Sequence, residues 1–429
     1  MSTIAALTGR QILDSQGYPT IEIEATLTSG VRARSSVPSG ASPGRLEATA
    51  ARDGGDRWSA RGVTGAVGAV GGEVAGALRG RDSQDQSGID RALVTLDGTS
   101  DKSRLGANTM LATSLAIARA SARDLGLPLW RYLGGEGAVR LPVPLLDVIN
   151  GGVHAANRLD FEEFMLIPAG ASTFSEALRM ATEVFHELRY VLLGSGHGAP
   201  LGAGGGFAPD LQSNAQALQM LMAAITAAGY EPGWDVWIGI DAAASQLRSD
   251  GGYELAHEGR RLSAKQLIAY YAELCRDYPL LVLEDGLADD DRDAWAQLTT
   301  QLGDRLEVAG DDLFATNPAQ LQRGIDSAIA NAIVIKPNQI GTLTETLQTI
   351  ALARDAGYAT IIAHRAGETE DTTICDLAVA TRSPQLKAGA PSRERAAKYN
   401  RMLRIEEALG DDAVFPGITA FGRPEGGFE

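Results

Sequence analysis

The spacing of apolar and polar positions changes near residue 135. Before it, Ile21, Ile23, Ala25 and Leu27 alternate with Glu22, Glu24, Thr26 and Thr28, as in a half-buried strand. Ser29-Gly30 marks a turn, and another alternating stretch follows. A loop of small residues comes next, Pro38-Ser39-Gly40-Ala41-Ser42-Pro43-Gly44, and the stretch 105–125 has helical composition. This pattern predicts an α+β unit ending near Gly134-Gly135.

Beyond it, short apolar runs repeatedly end in a polar or charged residue, and a helix-like segment follows. Val236-Trp237-Ile238-Gly239-Ile240 ends in Asp241, and Leu280-Leu281-Val282-Leu283 ends in Glu284. Leu306-Glu307-Val308-Ala309-Gly310 leads to Asp311, and Ala332-Ile333-Val334-Ile335 to Lys336. Thr360-Ile361-Ile362-Ala363 runs into His364, and Gln385-Leu386 into Lys387. The stretches 263–275 and 343–356 have the length and periodicity of connecting helices. Buried parallel strands read as apolar runs, and a β/α barrel carries its chemistry at their C-terminal ends. A doubly wound open sheet also alternates strands with helices, but polar groups on so many successive strand ends converge better on a barrel axis. The expected fold is α/β, a parallel β/α barrel over 136–429 with an N-terminal α+β capping domain over 1–135.

A chain of 429 residues has room for both units. Hydrophobic residues at 44% and charged residues at 21% argue against global disorder. The net charge of −16 speaks against nucleic acid or an anionic membrane as the main partner. It leaves open a small anionic substrate held in a locally basic site. Cys275 and Cys375 have no metal-ligand neighbour at short spacing, so neither a zinc site nor a disulfide framework is expected. No apolar run reaches the roughly 18 residues of a membrane span. The N-terminus has no charged segment followed by an apolar one, so a cytoplasmic location is expected.

Asp241, Glu284 and Asp311 are carboxylates on three successive strand ends. Oxygen ligands suit a hard cation such as Mg²⁺. The plainer alternative is that these acids cap helices or pair with lysines. Lys336 beside such a cation would have its ammonium form disfavoured and could act as a base; alternatively it pairs with one of the acids. Lys387, His364 and Arg365 would make the mouth locally positive and fit a carboxylate or phosphate. His364 and His154 could equally be packed core histidines. Glu162-Glu163, after Asn150-Gly151-Gly152-Val153-His154, means little alone. His186, His197 and His257 receive no role.

Longer ordered segments carry a resemblance. They include Ile12-Leu13-Asp14-Ser15, Val37-Pro38-Ser39-Gly40-Ala41-Ser42, Asp97-Gly98-Thr99, Leu105-Gly106-Ala107-Asn108 and Glu163-Phe164-Met165. Later come Gly310-Asp311-Asp312-Leu313-Phe314, Asn338-Gln339-Ile340-Gly341-Thr342, Gly367-Glu368-Thr369-Glu370-Asp371 and Lys398-Tyr399-Asn400. Over 9–410 the chain resembles the enolases (phosphopyruvate hydratases). The resemblance implies a capping domain on a variant β/α barrel, a homodimer or higher homo-oligomer, and two Mg²⁺ ions. It implies interconversion of 2-phosphoglycerate and phosphoenolpyruvate. By position it makes Asp241, Glu284 and Asp311 ligands of the first Mg²⁺, and Lys336 the base for the α-proton. Lys387 and His364 would contact substrate, and Arg365 would hold its phosphate. Ser42 would complete the second Mg²⁺ site on a mobile loop. His154 would lie on another closing loop, and Glu163 would assist at the hydroxyl end.

Enolases carry Gly-Asp-Glu-Gly-Gly before Phe-Ala-Pro, and the Glu is their main general acid. Here the stretch reads Gly202-Ala203-Gly204-Gly205-Gly206-Phe207-Ala208-Pro209. Gly204 stands where that acid does, and Ala203 replaces the Asp. Ala366 replaces a phosphate-binding Ser, Pro43 a Thr, and Gln16 and Tyr18 an Arg and an Asn. Losing a general acid should cost roughly 10²–10⁴ in rate. These departures predict a divergent, Mg²⁺-dependent, enolpyruvate-forming enzyme of specialised phosphonate or phosphinate metabolism, similar to carboxyphosphonoenolpyruvate synthase. The competing expectations are an ordinary enolase and a non-catalytic binding protein.

Overall fold

The computed structural model describes residues 2–40 and 43–423. The chain opens with a three-stranded antiparallel sheet of β1 (Ile4–Leu13), β2 (Pro19–Leu27) and β3 (Arg32–Ser36), in that order. Ile21, Ile23, Ala25 and Leu27 on β2 are buried, as the alternation predicts. The helix Ala107–Asp124 packs against β2 and β3. Its run of Ala, Thr and Ser lets it sit almost wholly buried, because small side chains allow close approach on every face.

The barrel strands are β4 (Val143–Asn150), β5 (Glu163–Ile167) and β6 (Trp237–Asp241). A small antiparallel sheet of β7 (Arg248–Ser249), β8 (Gly252–Leu255) and β9 (Arg260–Leu262) interrupts the series. Then follow β10 (Leu280–Glu284), β11 (Glu307–Gly310), β12 (Ala332–Ile335), β13 (Ala359–Ala363) and β14 (Gln385–Lys387). They close in the order β10-β11-β12-β13-β14-β4-β5-β6. The two predicted connecting helices are Ala264–Asp277 and Leu343–Asp355. Ser263 and Thr342 cap their first turns, accepting from the N–H groups of Gln266 and Glu345.

One expectation is corrected. The barrel is not all parallel: β5 runs antiparallel to both β4 and β6. A parallel connection needs a crossover, usually a helix, and the chain between β4 and β5 holds only the short turn Gly152–His154. The reversal puts the start of β5 at the mouth, with Glu163 paired in register with Asp241.

Val143, Leu145, Met165, Ile167, Trp237, Val282, Val334 and Ile361 fill the barrel interior, and Ile418, Ala420 and Phe421 close it from the C-terminal turn. Side chains from the capping domain reach the barrel. Asp90 accepts from the Thr344 N–H at 2.9 Å, and Lys102 pairs with Glu345 at 2.8 Å. Among the described residues no helix is long and apolar enough to cross a membrane.

At the opposite end from the mouth, Glu307 accepts from Gln385 Nε2 at 2.9 Å, while among the described residues its Oε2 has no partner. Burial pushes this carboxyl up to about 8. The folded chain therefore binds a proton that the unfolded chain gives up near its ordinary 4.5. Stability should fall as pH rises through that window and level off above it. Glu307→Gln is expected to match the parent near about pH 5 and to exceed it by roughly 2–4 kcal/mol near about pH 8. Urea unfolding at both pH values checks this; an equal gain at both would contradict it.

Candidate active site

The barrel mouth gathers the polar strand ends. Asp241 ends β6 and Glu284 ends β10, side by side in register. Asp311 follows β11, Lys336 follows β12, His364 and Arg365 follow β13, and Lys387 ends β14. One cavity is lined by Asp241, Asp311, Lys336, Lys387, His154, Glu163, His364 and Arg365. Glu284 is fully buried, reached through Lys387. Ser42 lies outside the described residues.

The two lysines divide the carboxylates. Lys387 Nζ lies 2.6 Å from Glu284, 2.9 Å from Glu163 and 3.0 Å from Asp241. Lys336 Nζ is paired with Asp311 Oδ2. Burial works against the Lys336 ammonium, but nearby carboxylates, Asp311 foremost, outweigh it and hold the amine above its ordinary value. The pairing alternative for Lys336 is therefore what the carboxylates alone enforce. Gln339 fixes the other Asp311 oxygen at 2.9 Å, and Thr316 Oγ1 accepts from the Lys336 N–H at 2.8 Å.

Asp241, Glu284 and Asp311 are not the most tightly gathered acids. Ligand atoms within 4.8 Å of one another come instead from Asp285, Asp311 and Asp312, and from Asp147, Glu163 and His364. Asp285 is already used: its two oxygens accept from the N–H groups of Asp311 and Asp312, at 2.9 and 2.8 Å. It shapes the turn that presents Asp311. The wider spacing of the expected trio follows from charge, since three buried carboxylates repel and recruit ammonium groups between them. The donor set nevertheless fits a hard cation. It is all oxygen, and among the described residues Glu284 keeps one fully buried oxygen without a partner.

His154 stands between two carboxylates, with Nε2 2.7 Å from Glu162 and Nδ1 3.2 Å from Glu163. Burial opposes its charge, but those hydrogen bonds outweigh it and push the imidazole up to about 10. His364 is the reverse case. Burial, then the charge of Arg395, hold it well below its ordinary value. Its Nε2 meets Asp147 at 3.0 Å, and its Nδ1 accepts from Arg395 Nε at 3.2 Å.

Arg365 is occupied by a carboxylate rather than open to a phosphate. Glu47 of the capping domain grips it with two oxygens, at 2.7 and 3.0 Å. Glu47, Asp147 and Arg395 were missed in the sequence. Asp147 left a usable signal, an acid inside the apolar run of β4. Glu47 and Arg395 lie outside the strands, with no period to mark them.

Comparison with known proteins decides the family. Residues 4–133 match the "Enolase, N-terminal domain" and residues 138–423 the "Enolase, C-terminal TIM barrel domain". The chain belongs to the enolase family. It is 51% identical over 423 residues to a protein named Enolase from Rubrobacter xylanophilus, covering 98% of each chain. As an enolase-family member it is an enzyme of the lyase class, on a capped β/α barrel. Magnesium is the usual metal of that family.

Proposed function

We propose that this chain catalyses the reversible dehydration of 2-phosphoglycerate to phosphoenolpyruvate. The observation that carries this reading is Lys336 facing Asp311, Asp241 and Lys387 in one buried mouth. Half identity to a named enolase over nearly the whole chain supports it over phosphonate or phosphinate chemistry. Asp241, Glu284 and Asp311 would hold Mg²⁺, with a second ion in keeping with the family; bound there, Mg²⁺ supplies positive charge to the substrate carboxylate.

The residues then divide the work. Asp311, when it serves a cation, no longer holds the proton on Lys336, and the amine becomes a base. Lys336 Nζ takes the α-proton. The C–H electron pair passes first into the substrate carboxylate and then forms the new double bond as the β-hydroxyl departs. That hydroxyl needs a proton and leaves as water. Glu163, hydrogen-bonded to protonated His154 and facing Gly204, is placed to pass one. Lys387 and His364 line the same space and orient the substrate, and Arg365 exchanges Glu47 for the phosphate. We infer a cytoplasmic homodimer or larger homo-oligomer, with a capping domain over 1–135 and a barrel over 136–429.

A second reading rests on Gly204, Ala203 and Ala366. They remove a carboxyl at the leaving-group end and a hydroxyl at the phosphate end. This favours a divergent enolpyruvate-forming enzyme such as carboxyphosphonoenolpyruvate synthase. Incubation with Mg²⁺ and 2-phosphoglycerate separates the two. Sustained phosphoenolpyruvate formation is expected. Its absence, with α-proton exchange retained, would favour the second reading.

A further inference from the structure

Two adjacent carboxylates grip one imidazole at the leaving-group end of the mouth. Glu162 precedes β5 and Glu163 begins it, and the turn Gly152–His154 folds back over that strand start. Backbone bonds hold the fold-back. The Gly151 N–H donates to the Glu162 carbonyl at 2.8 Å, and the Glu162 N–H to the Asp241 carbonyl at 3.0 Å. His154 then lies between both acids, with Nε2 2.7 Å from Glu162 Oε1 and Nδ1 3.2 Å from Glu163 Oε1. The outer oxygens are held as well. Gln246 Nε2 donates to Glu162 Oε2 at 3.0 Å, and Lys387 Nζ lies 2.9 Å from Glu163 Oε2. The loop 202–206 covers the other side and brings no titratable side chain; its Ala203 N–H donates to the His154 carbonyl at 3.2 Å. Glu162, His154 and Glu163 all line the cavity.

The row Glu162–His154–Glu163 holds one proton more than two carboxylates and a neutral imidazole. An ionised carboxylate only accepts, and a neutral imidazole has a single N–H. Two hydrogen bonds from one ring to two carboxylates need two N–H groups. The second proton is the transferable one. Burial opposes the charge, but Glu162 and Glu163 outweigh it and push the imidazole up to about 10. The other charges near the row stand behind the two acids, Lys387 beyond Glu163 and Asp241 beyond Glu162. Glu163, shared with the Lys387 ammonium, has no proton of its own to give. What it passes must come from the ring.

We propose that Glu162 is a positioning residue for the dehydration, holding His154 by Nε2 and turning its Nδ1–H onto Glu163, so that a proton reaches the departing hydroxyl. The inference rests on the 2-phosphoglycerate reading and names the origin of the proton that Gly204 cannot supply. The Nδ1 proton moves to Glu163 Oε1, and Glu163 gives one proton to the hydroxyl oxygen. The C–O bond breaks with its electron pair on that oxygen, and water leaves. His154 is left neutral, its Nε2–H still on Glu162. The ring is 18% exposed, enough to regain its proton from solvent at the mouth.

The test uses the full chain with Mg²⁺ and 2-phosphoglycerate in D₂O. It reads phosphoenolpyruvate formation as a ratio to α-deuterium exchange, since Lys336 serves the exchange and Glu162 serves only the departure. Glu162→Gln keeps the shape and removes the charge that holds the second proton. His154 should then titrate lower, toward its ordinary 6.5. Each unit that it falls below the working pH removes about tenfold of the protonated ring. The variant's ratio is expected to match the parent's within about threefold near about pH 6 and to fall roughly 10–100-fold below it near about pH 8.5. NMR titration of ¹³C-histidine-labelled chain, with the ring assigned through His154→Gln, reads the midpoint without substrate. It should lie near about 10 in the parent and at least about two units lower in the variant. Glu162→Asp keeps the charge and should hold the ratio level with pH, which covers a Glu162→Gln chain that fails to fold. A ratio that falls equally at both pH values marks a merely structural role and overturns the proposal, as does a pH-dependent fall in Glu162→Asp equal to that in Glu162→Gln. A parent that forms no phosphoenolpyruvate strikes the dehydration reading and this role with it. A parent that forms it, with ratio and midpoint unmoved by Glu162→Gln, strikes Glu162 alone.

Discussion

Replacing Lys387 by Met is expected to destabilise the chain by about 3–5 kcal/mol, the cost of breaking a buried ion network from one side. Lys387 is 2% exposed, and its ammonium contacts Glu163, Asp241 and Glu284. Burial opposes its charge, but those carboxylates together hold it well above its ordinary value. Met keeps the length and the apolar stem, so the loss isolates the charge. Mg²⁺ should return part of the loss, because a cation on Asp241 and Glu284 replaces the missing positive charge. Urea unfolding with and without Mg²⁺ reads both effects. A variant as stable as the parent, or one indifferent to Mg²⁺, would mean that Lys387 does not balance these carboxylates.

Glu284→Gln should act on the metal. The side chain is fully buried, with Oε2 on Lys387 at 2.6 Å and Oε1 without a partner among the described residues. Burial, then the charge of Asp241, pushes its carboxyl well above the ordinary value. The amide is isosteric and neutral, so the fold should tolerate it. Without the anionic oxygen, Mg²⁺ affinity should fall by more than the roughly 10–100-fold that outer partners of a metal ligand control. Calorimetry measures this. Unchanged Mg²⁺ affinity would place the ion elsewhere, and the tight cluster of Asp285, Asp311 and Asp312 would be the alternative location.

Much of this mouth was legible in the sequence because barrel chemistry follows a simple rule. Apolar runs that stop at a charged residue gave Asp241, Glu284, Asp311, Lys336, His364 and Lys387, and the fold places all six at one end. Glu163 escaped that rule for a physical reason. It begins its strand, and only the reversal of β5 brings a strand start to the mouth. The partner of Arg365 was equally hidden, because Glu47 comes from the other domain, over 300 residues away in the chain. No local pattern encodes such a contact. The loop at Gly204 was visible as a departure, but its consequence was not. That the Asn150 amide has no partner among the described residues is a property of packing, not of spacing.

In the proposed reaction Lys336 takes a proton from the α-carbon of 2-phosphoglycerate at this mouth. The most direct measurement is α-deuterium exchange by NMR, with the unmodified chain, Mg²⁺ and 2-phosphoglycerate in D₂O, beside Lys336→Gln. Exchange by the parent is expected, falling by about 10²–10⁴ in the variant, the usual share of a positioned base. Exchange that survives the substitution undiminished, or a parent that exchanges nothing, would contradict it.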